Sequence, residues 1–225
     1  MPSVRDVIQW DLVNWNRCLT LWMPHLRSEE RLKCLELGAR GGGLSLLAAS
    51  LGHEVYCTDI NGDFTAAKNL HQKYFGKETT IHYREMDATD IPFANEFDLV
   101  FLKSVLNNVG RNDRLNMQQR CVSEIHKCLK PDGKLLYAEN VSASRLHMFA
   151  RKKFVRWGES VRYASLREMK KMLQPFSRHD YSLIGFMGAF GRNEWQRSVL
   201  GTCDRITDRL LPDTWKYIMT GVAQK

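Results

Sequence analysis

A glycine-rich turn followed by an acidic strand end is the part of this chain best suited to binding a nucleotide-like cofactor. Residues 35–43 read Leu-Glu-Leu-Gly-Ala-Arg-Gly-Gly-Gly and lead into an apolar helix predicted for Leu44–Leu51. Asp59 closes the next predicted strand about twenty residues later. Glycines let the backbone approach a ligand closely, and a carboxylate at a strand end can accept hydrogen bonds from both hydroxyls of a ribose. The spacing therefore predicts a cofactor site beside the first two strands.

Two cofactor families share this geometry, and the order of the glycines distinguishes them. Nicotinamide enzymes usually show G-x-G-x-x-G. Residues 36–42 instead resemble the E-x-G-x-G-x-G loop of class I S-adenosylmethionine-dependent methyltransferases, in which the leading acid and the loop hold the methionine part of the cofactor. The resemblance places the following residues at the cofactor: Glu36, Gly38, Ala39, Arg40 and Gly42.

Arg40 departs from the family pattern, because it stands where the family has its middle glycine. Its guanidinium could pair with the cofactor carboxylate through its planar fork. Alternatively, the side chain could point to solvent while only the backbone shapes the turn. Both interpretations stay open at the level of the sequence.

The adenosine part of the cofactor is predicted to lie against the ends of the second and third strands. Met86-Asp87-Ala88 matches the family position where an aspartate accepts a hydrogen bond from the adenine amine while an apolar neighbour packs on the ring. Asp87 could instead cap a turn, since aspartate is a frequent turn residue. The resemblance adds these residues to the cofactor site: Asp59, Ile60, Met86, Asp87, Ala88 and Lys103.

Predicted strands and helices alternate along the chain. The strands are Leu32–Leu37, Glu54–Thr58, Ile81–Glu85, Phe97–Leu102, Lys134–Glu139, Tyr181–Phe186 and Trp215–Val222. The helices between them are Gly43–Leu51, Phe64–Tyr74 and Leu115–Leu129, and Pro131-Asp132-Gly133 is expected to form a sharp turn. This alternation predicts an α/β fold with a largely parallel sheet. The resemblance implies a Rossmann-like, seven-stranded mixed sheet of order 3-2-1-4-5-7-6, with the last two strands antiparallel.

Residues 1–27 are predicted to form one N-terminal helix. Apolar residues recur at alternating steps of four and three, and therefore share one face: Ile8, Leu12, Trp15, Leu19, Trp22 and Leu26. Pro24 is expected to end or kink this helix. The helix either packs on the core or forms a lid over the cofactor. A lid would bring the following side chains near the ligand: Trp10, Asp11, Asn14 and Trp15.

Three residues are candidates for catalysis. Methyl transfer from a sulfonium needs an in-line nucleophile and, for an alcohol acceptor, a base that removes its proton. Glu139 and His147 lie near the carboxyl end of the fifth strand, where open α/β sheets place their ligands. Asn107 follows the fourth strand, where many relatives carry a histidine or an aromatic pair. As alternatives, Asn107 could begin a loop, His147 could be a surface or supporting residue, and an amine acceptor could need no base.

The positive charge of the chain is concentrated in one segment. Between residues 141 and 178 there are ten basic and two acidic side chains, a net charge of +8 that equals the charge of the whole chain. We interpret this segment as a basic cap inserted after the fifth strand. Something anionic is expected to meet it.

Within the cap, the stretch from Arg145 to Trp157 has the pattern of a basic amphipathic helix. The apolar side is formed by Leu146, Phe149, Ala150, Phe154 and Trp157, and the basic flank by Arg145, Lys152 and Arg156. Three interpretations compete: a cap packed on the sheet with solvated charges, a wall of the site for an anionic acceptor, and a helix that lies on an anionic membrane.

Length and composition exclude several classes of protein. The chain has 225 residues, of which 44% are hydrophobic and 26% charged, so one globular domain over residues 1–225 is expected. No apolar run is long enough to cross a bilayer, and Arg5 and Asp6 stand where a signal peptide needs its apolar core, which predicts a cytoplasmic protein. The six cysteines form no C-x-x-C pair, so reduced thiols are expected rather than a zinc site or a disulfide framework.

These features together predict an S-adenosylmethionine-dependent methyltransferase. Its acceptor is expected to be a small, anionic or glycan-like molecule, such as a sugar, a glycolipid or a polysaccharide precursor, methylated at oxygen, with peripheral contact to the inner face of the membrane as one version. An RNA or nucleotide methyltransferase is the enzymatic alternative, although no RNA-binding module is recognisable and the chain outside the cap is neutral. The second alternative is a non-catalytic cofactor-binding or scaffolding subunit. It is suggested by Arg40 and by the lack of a histidine at the position of Asn107.

Overall fold

A computed structural model describes residues 1–76, 80–154 and 160–225, and its centre is one mixed sheet of seven strands. The strands are β1 (Lys33–Leu37), β2 (Glu54–Asp59), β3 (Ile81–Glu85), β4 (Phe97–Lys103), β5 (Leu129–Asn140), β6 (Arg178–Ile184) and β7 (Ile218–Gln224). Their order is β3-β2-β1-β4-β5-β7-β6. The first five strands are parallel, and β7 is antiparallel to both β5 and β6. The predicted fold class and strand order are confirmed.

Helices flank this sheet. They are α1 (Val4–Ile8), α2 (Leu12–Trp15), α3 (Arg17–Leu26), α4 (Gly43–Ser50), α5 (Thr65–Phe75), α6 (Leu106–Val109), α7 (Leu115–Cys128), α8 (Arg145–Phe154), α9 (Leu166–Met172) and α10 (Glu194–Thr207). Two short 3-10 turns, Gly188–Phe190 and Asp213–Trp215, precede α10 and β7.

Two buried cores lie on the two faces of the sheet. Successive side chains of a strand point to opposite faces. In β4, accordingly, Val100 and Leu102 belong to one core, and Leu99 and Phe101 to the other. The first core includes residues of α7 and α9, and the second includes residues of α1 to α5. The central strands are therefore covered on both faces. The ends of the strands are the parts of the sheet that a ligand can reach.

The start of β5 differs from the prediction. The strand begins at Leu129, which is buried and pairs with Phe97, whereas the prediction began it at Lys134. Pro131-Asp132-Gly133 is not a turn between elements but part of a bulge, across which the register shifts and where Asp132 has φ of 63°. Because Leu129 is buried and paired with β4, the residues before the bulge belong to the sheet as well as those after it.

The N-terminal segment contains three helices instead of the predicted single helix. Gln9 and Asp11 interrupt it with φ angles of 73° and 45°. Tertiary contacts stabilise this interruption, because the Ile8 carbonyl accepts a hydrogen bond from Lys103 Nζ at 2.9 Å and the Glu194 carboxylate accepts from the Asp11 amide at 2.9 Å. The predicted apolar face is nevertheless largely correct, with Ile8, Trp15, Trp22 and Leu26 buried. Pro24 lies inside α3, two residues before the helix ends.

Close packing against this N-terminal segment explains two of the glycines in the glycine-rich turn. A Cβ atom at Gly43 would lie 2.2 Å from the Val7 carbonyl oxygen. One at Gly41 would lie 2.4 Å from Gln9 Nε2, at the end of a side chain that can move. These glycines therefore admit the N-terminal segment, in addition to any ligand.

Replacing Gly43 by alanine is expected to lower the free energy of unfolding by about 1–3 kcal/mol, because a new methyl group would collide with backbone that cannot rotate away. Urea denaturation measures the change. Gly41→Ala is the matched control and should cost less, since Gln9 can adopt another rotamer. Equal losses in the two variants would show that the N-terminal segment does not pack on the turn as described.

The amphipathic helix of the cap does not have the orientation expected if its apolar side packed on the sheet. Leu146 and Phe149 are 57% and 59% exposed, whereas His147 and Arg151 are buried. Leu146 and Phe149 of the predicted apolar side therefore face outward instead of packing on the sheet. Of the residues named in the prediction, Arg156 and Trp157 lie outside the described part of the chain.

Among the described residues, no helix combines the length and the apolar character needed to cross a bilayer. All six cysteines are free thiols. Cys203 is exposed and the other five are buried.

Candidate functional site

The predicted cofactor residues meet at the carboxyl edge of the sheet. Gly38 follows β1, Asp59 ends β2, Met86 follows β3 and Lys103 ends β4. Since parallel neighbours place their carboxyl ends at the same edge, these residues line one continuous region. A cleft at the opposite edge, beside Leu32, Asp98 and Lys134, has none of the predicted residues in its lining.

Glu36 fastens the glycine-rich turn to the start of α4. Its buried Oε2 accepts hydrogen bonds from the backbone amide of Ser45, at 2.7 Å, and from the Ser45 hydroxyl. Burial raises the pKa of this carboxyl to about 7, and the Ser45 hydrogen bonds oppose the rise. Glu36 therefore positions the turn, and its contacts in this conformation are to protein groups.

Arg40 has a left-handed backbone conformation, which glycine adopts without strain. Its φ is 50°, its side chain is exposed, and its amide donates a hydrogen bond to Asp59 Oδ2 at 3.0 Å. Ala39 beside it is buried, and Gly42 has φ of 70°. The backbone of Arg40 therefore takes part in the turn through its hydrogen bond to Asp59, and its side chain is exposed.

Replacing Arg40 by glycine is expected to raise the free energy of unfolding by about 0.5–1 kcal/mol. The left-handed conformation costs a residue with a Cβ atom about 1–2 kcal/mol, and the larger conformational entropy of glycine in the unfolded chain offsets part of the relief. Thermal or urea denaturation measures the gain. Arg40→Ala is the control, since it removes the guanidinium but keeps Cβ, and it should give no gain. Stabilisation by alanine as well would show that charge, and not φ, sets the cost.

Asp59 and Ile60 form the side of the site at the end of β2. The two oxygens of the Asp59 carboxylate accept from the amides of Arg40 and Asn61, at 3.0 Å and 3.2 Å. Each carboxylate oxygen has a second lone pair, so Asp59 can still accept from further donors. Ile60 is 58% exposed directly beside it, which leaves an apolar surface open to a flat ring.

Asp87 shows the turn-capping contacts that were its alternative interpretation. Its Oδ1 accepts from the amide and the hydroxyl of Thr89, both at 2.8 Å. The carboxylate is nevertheless exposed, and so remains accessible to a second donor. Met86 and Ala88 are buried, and Met86 belongs to a core cluster. Ile60 is therefore better placed than Met86 to cover a ring.

Lys103 is enclosed by the N-terminal segment at the end of β4. Its Nζ donates to the Ile8 carbonyl at 2.9 Å and lies 3.2 Å from the centroid of the Trp10 ring, with the Trp15 ring at 5.2 Å. Burial lowers the pKa of this ammonium to about 7, and the nearby Cys18, Glu36 and Glu139 oppose that shift. The Lys103 amine is thus enclosed at the end of β4, beneath the predicted lid.

Glu139 and Asn107 organise the loop after β4. Glu139 Oε1 accepts from the amides of Val105 and Leu106, at 2.6 Å and 3.1 Å, and burial raises the pKa of this carboxyl to about 8. Asn107 Oδ1 accepts from the next amide, and its carbonyl accepts from the Arg162 amide at 3.1 Å. These contacts support positioning roles for both residues. Asn107 lies in the short helix α6, so it does not begin a loop as its alternative interpretation expected.

The contacts of His147 do not support its prediction as the base. The ring is buried, Nδ1 shares a hydrogen bond with the Ser144 hydroxyl at 2.8 Å, and Nε2 lies 2.7 Å from the Phe186 carbonyl oxygen. It packs against the rings of Phe186 and Phe190, each with centroids 4.6 Å away. Since both nitrogens are engaged with protein groups, the imidazole joins the cap to the chain after β6.

The basic residues of the cap divide into two groups. Arg151 is buried, donates to the Val141 carbonyl at 2.8 Å and lies over the Tyr163 ring, and Arg162 forms ion pairs with Asp113 and Glu168. These two arginines stabilise the cap. The second group is exposed, and its members are Arg145, Lys152 and Lys153 on α8, Arg167, Lys170 and Lys171 on α9, and Arg178 at the start of β6. The three on α8 belong to the first helix after the carboxyl end of β5.

A buried polar cluster beside the site was only half predicted. Asp11 and Asn14 were expected near the ligand, but they contact residues from the C-terminal part of the chain. The Tyr217 hydroxyl donates to Asp11, and Asn14 Nδ2 lies 2.8 Å from Asp204 Oδ2. Burial raises the pKa of Asp11 to about 6. The spacing of Tyr217 and Asp204 in the sequence offers no signal for this cluster, because it depends on two chain ends meeting.

Comparisons with known proteins agree with this geometry. The model of a family described as methyltransferase domain matches residues 35–137, which span the sheet from β1 to β5. No curated protein sequence matches the chain.

Three solved structures illustrate the similarity in fold. Phosphoethanolamine N-methyltransferase 2 of Haemonchus contortus, in complex with phosphomonomethylethanolamine and S-adenosylhomocysteine, has a TM-score of 0.64 and 18% identity over 94% of this chain and 52% of that one. The PH0226 protein of Pyrococcus horikoshii OT3 has a TM-score of 0.63 and 15% identity over 93% and 90% of the two chains. A SAM-dependent methyltransferase of Methanosarcina mazei has a TM-score of 0.60 and 17% identity over 90% and 96%. The chain spans about half the length of the nematode enzyme, and at these identities the similarity shows the fold alone.

Proposed function

We propose that this chain, a class I S-adenosylmethionine-dependent methyltransferase, methylates an oxygen of a small, negatively charged or glycan-like acceptor. The observation that supports the acceptor class is the exposed basic group of the cap. Arg145, Lys152 and Lys153 project from α8, the first helix after the carboxyl end of β5. No exposed acid accompanies them within α8. An anionic molecule that approaches this edge of the sheet meets positive charge.

The residues at the carboxyl edge fit the chemistry of the cofactor. Asp59 offers acceptors for ribose hydroxyls, and exposed Asp87 one for the adenine amine, beside the apolar surface of Ile60. Lys103, with Arg40 nearby, offers positive charge to the carboxylate of the methionine part. When bound, the cofactor supplies an electrophilic methyl group on its sulfonium.

Two further residues are proposed to position the loop between cofactor and acceptor. Glu139 holds the amides of Val105 and Leu106, and Asn107 connects this loop to the cap through the Arg162 amide. The cap is thereby tied to the edge where a methyl group would be transferred. Proximity and orientation account for a large share of the barrier reduction in such transfers.

The acceptor class is tested with three glutamine substitutions in one variant: Arg145→Gln, Lys152→Gln and Lys153→Gln. We expect the acceptor KM to rise by about tenfold, and the wild-type KM to rise with ionic strength, because the attraction is screened over about 8–10 Å at physiological salt. S-adenosylhomocysteine affinity should stay unchanged. The matched control removes the same number of positive charges from α7 and from the residue that precedes it. Its substitutions are Arg114→Gln, Arg120→Gln and Lys127→Gln. An equal effect in the control would overturn the proposed role of the cap.

A panel of acceptors separates this proposal from its rivals. Sugar phosphates, uronic acids and glycolipids represent the proposed class, and phosphorylated amines are included because the nematode structure contains one. Mass spectrometry locates the added methyl group on oxygen or nitrogen. Methylation of RNA, with binding that falls steeply with salt, would favour the nucleic-acid alternative. Cofactor binding without turnover on any acceptor would favour a scaffolding subunit.

A more specific form of the proposal adds peripheral contact of the protein with a membrane. A glycolipid acceptor would be presented at a bilayer surface, and the exposed Leu146 and Phe149 lie on the same helix as the exposed basic residues. An apolar and basic helix surface is suited to the headgroup region of an anionic membrane. Methylation of a vesicle-bound glycolipid that exceeds methylation of its soluble headgroup would support this version.

A further inference from the structure

The outward face of α10 is apolar, which is the reverse of the usual orientation for a surface helix. Four large apolar side chains project from α10 and the turn that follows it: Trp195, Val199, Ile206 and Leu210, with exposures of 74%, 48%, 72% and 82%. Their spacing of four, seven and four residues places them on one side of the helix. We name these four residues the outer stripe.

The acidic residues of α10 point inward and are engaged there. Glu194 accepts from the amides of Asp11 and Leu12, at 2.9 Å and 2.7 Å. Asp204 accepts from the amides of Met187 and Gly188, at 2.7 Å and 2.9 Å.

One turn further along, Asp208 pairs with Arg17 and accepts from the Gly185 amide. The helix is therefore fixed in its inverted orientation by specific polar contacts. The outer stripe is not a consequence of a loosely placed element.

The exposed charges of the segment that carries the outer stripe, residues 191–212, are all positive. Between residues 191 and 212, the exposed charged side chains are Arg192, Arg205 and Arg209. The three acids of this segment are those already engaged on the inner side. The surface thus combines large apolar side chains with arginine and lacks exposed negative charge in this segment.

We propose that the outer stripe and its arginines dock the protein on the surface of an anionic lipid bilayer. The apolar side chains would enter the boundary between headgroups and acyl chains, and each arginine near an anionic surface contributes about 1 kcal/mol. Tryptophan is suited to that boundary because it joins an apolar ring to a polar N–H. A second copy of this chain fits less well, since a twofold contact would bring the same three arginines together.

The neighbouring elements extend this surface. Phe190 and Trp215 are also exposed, and Phe190 contacts His147 of α8. The cap helix α8 is therefore in contact with the chain segment that leads into α10. The inference adds a second contact to the peripheral association proposed above, but it does not depend on the identity of the acceptor.

Co-sedimentation with vesicles tests the proposal. Vesicles of equal parts phosphatidylcholine and phosphatidylglycerol should bind the wild type about tenfold or more tightly than phosphatidylcholine alone, given three arginines. Trp195→Gln combined with Ile206→Gln should weaken binding by about tenfold or more, because burial of each side chain is lost. Arg205→Gln combined with Arg209→Gln should weaken binding and reduce its dependence on salt. The control, Arg114→Gln with Arg120→Gln, should bind like the wild type.

Cys203 provides a direct probe, because it is the exposed cysteine and lies on α10 between Val199 and Ile206. An environment-sensitive fluorophore attached there should shift its emission to the blue with anionic vesicles and remain unchanged with neutral ones. Labelled Arg205→Gln with Arg209→Gln should show little shift.

Three results would overturn the proposal: equal binding to anionic and neutral vesicles, binding that is unaffected by both α10 variants, or a dimer in ultracentrifugation that the Trp195→Gln and Ile206→Gln variant abolishes. The last result would make the outer stripe a self-association surface. S-adenosylhomocysteine affinity and turnover of a soluble acceptor should remain at wild-type values in all α10 variants. Failure of the proposed enzymatic function is therefore measured separately from failure of membrane docking.

Discussion

Replacing Lys103 by methionine is expected to weaken S-adenosylhomocysteine binding by about thirtyfold or more, since loss of one partner from a buried, hydrogen-bonded charge pair costs about 2–5 kcal/mol. Methionine keeps the length of the side chain and its packing beside Trp10, but removes the charge that we propose to pair with the cofactor carboxylate. Isothermal titration calorimetry measures the change. Lys103→Arg retains the charge and should lose less affinity. Unchanged affinity in the methionine variant would show that Lys103 does not bind the cofactor.

The pH dependence of binding gives an independent check on Lys103. Its pKa in the free protein is about 7, and a bound carboxylate would raise it, so binding favours the charged form. Affinity should therefore be highest below pH 7 and fall as the pH rises above it. The ligand's own ammonium also titrates, but this contribution is common to both proteins and cancels in a comparison with Lys103→Met. A difference between the two proteins that does not change with pH would contradict the proposed pairing.

Stability should change with pH in the opposite direction. The unfolded chain holds the Lys103 proton up to the ordinary lysine value of 10.5, whereas the folded chain releases it above about 7. Between these values the unfolded state binds more protons, so the folded state gains stability as the pH rises from 7 towards 10.5. Lys103→Met should lack this gain and should be more stable than the wild type at neutral pH. Urea denaturation at several pH values measures both effects.

Asp59→Ala is expected to weaken S-adenosylhomocysteine binding by about 1.5–3 kcal/mol, a factor of about ten to one hundred, because hydrogen bonds from the ribose to a charged acceptor are lost. Calorimetry measures the affinity. Asp59→Asn keeps an acceptor for the Arg40 amide and should preserve the turn better than alanine does.

The matched control for Asp59 is Asp63→Ala. Asp63 is another carboxylate of the same loop, and it accepts from the Thr65 amide. This variant should bind S-adenosylhomocysteine as the wild type does. If NAD stabilised the wild type to the same extent as S-adenosylhomocysteine does, the result would favour the interpretation of the glycine-rich turn as a nicotinamide-cofactor site.

The α/β class of the fold was predictable from local signals, and the strand order followed from the resemblance of the glycine-rich turn to the methyltransferase family. Buried strands alternate with helices from β1 to β5, which leaves few topologies, and the glycine-rich turn identifies where the sheet begins. Asp59 and Lys103 were assigned to the site by the family resemblance, and their strand positions agree with it, since the carboxyl ends of parallel strands meet at one edge. Chemistry attached to strand ends is therefore accessible to sequence reasoning in a fold of this class.

Orientation of helices was less predictable, for a physical reason. Periodicity shows which side chains share a face, but it does not show what that face contacts. The apolar residues of α8 share a side, as predicted, yet Leu146 and Phe149 face outward while His147 packs beneath them. In α10 the inward side is acidic, because unpaired backbone amides of distant segments offer Glu194 and Asp204 hydrogen bonds.

By itself, the sequence determined the class of fold, the edge of the sheet that holds the cofactor residues and the segment that concentrates positive charge. The tertiary structure alone decided how those residues act. It broke the N-terminal helix at Gln9, enclosed Lys103 beneath Trp10 and placed His147 between aromatic rings. Each of these outcomes depends on contacts between residues far apart in the chain, and hydrogen bonds and packing gained there outweigh the local preferences that a sequence pattern records.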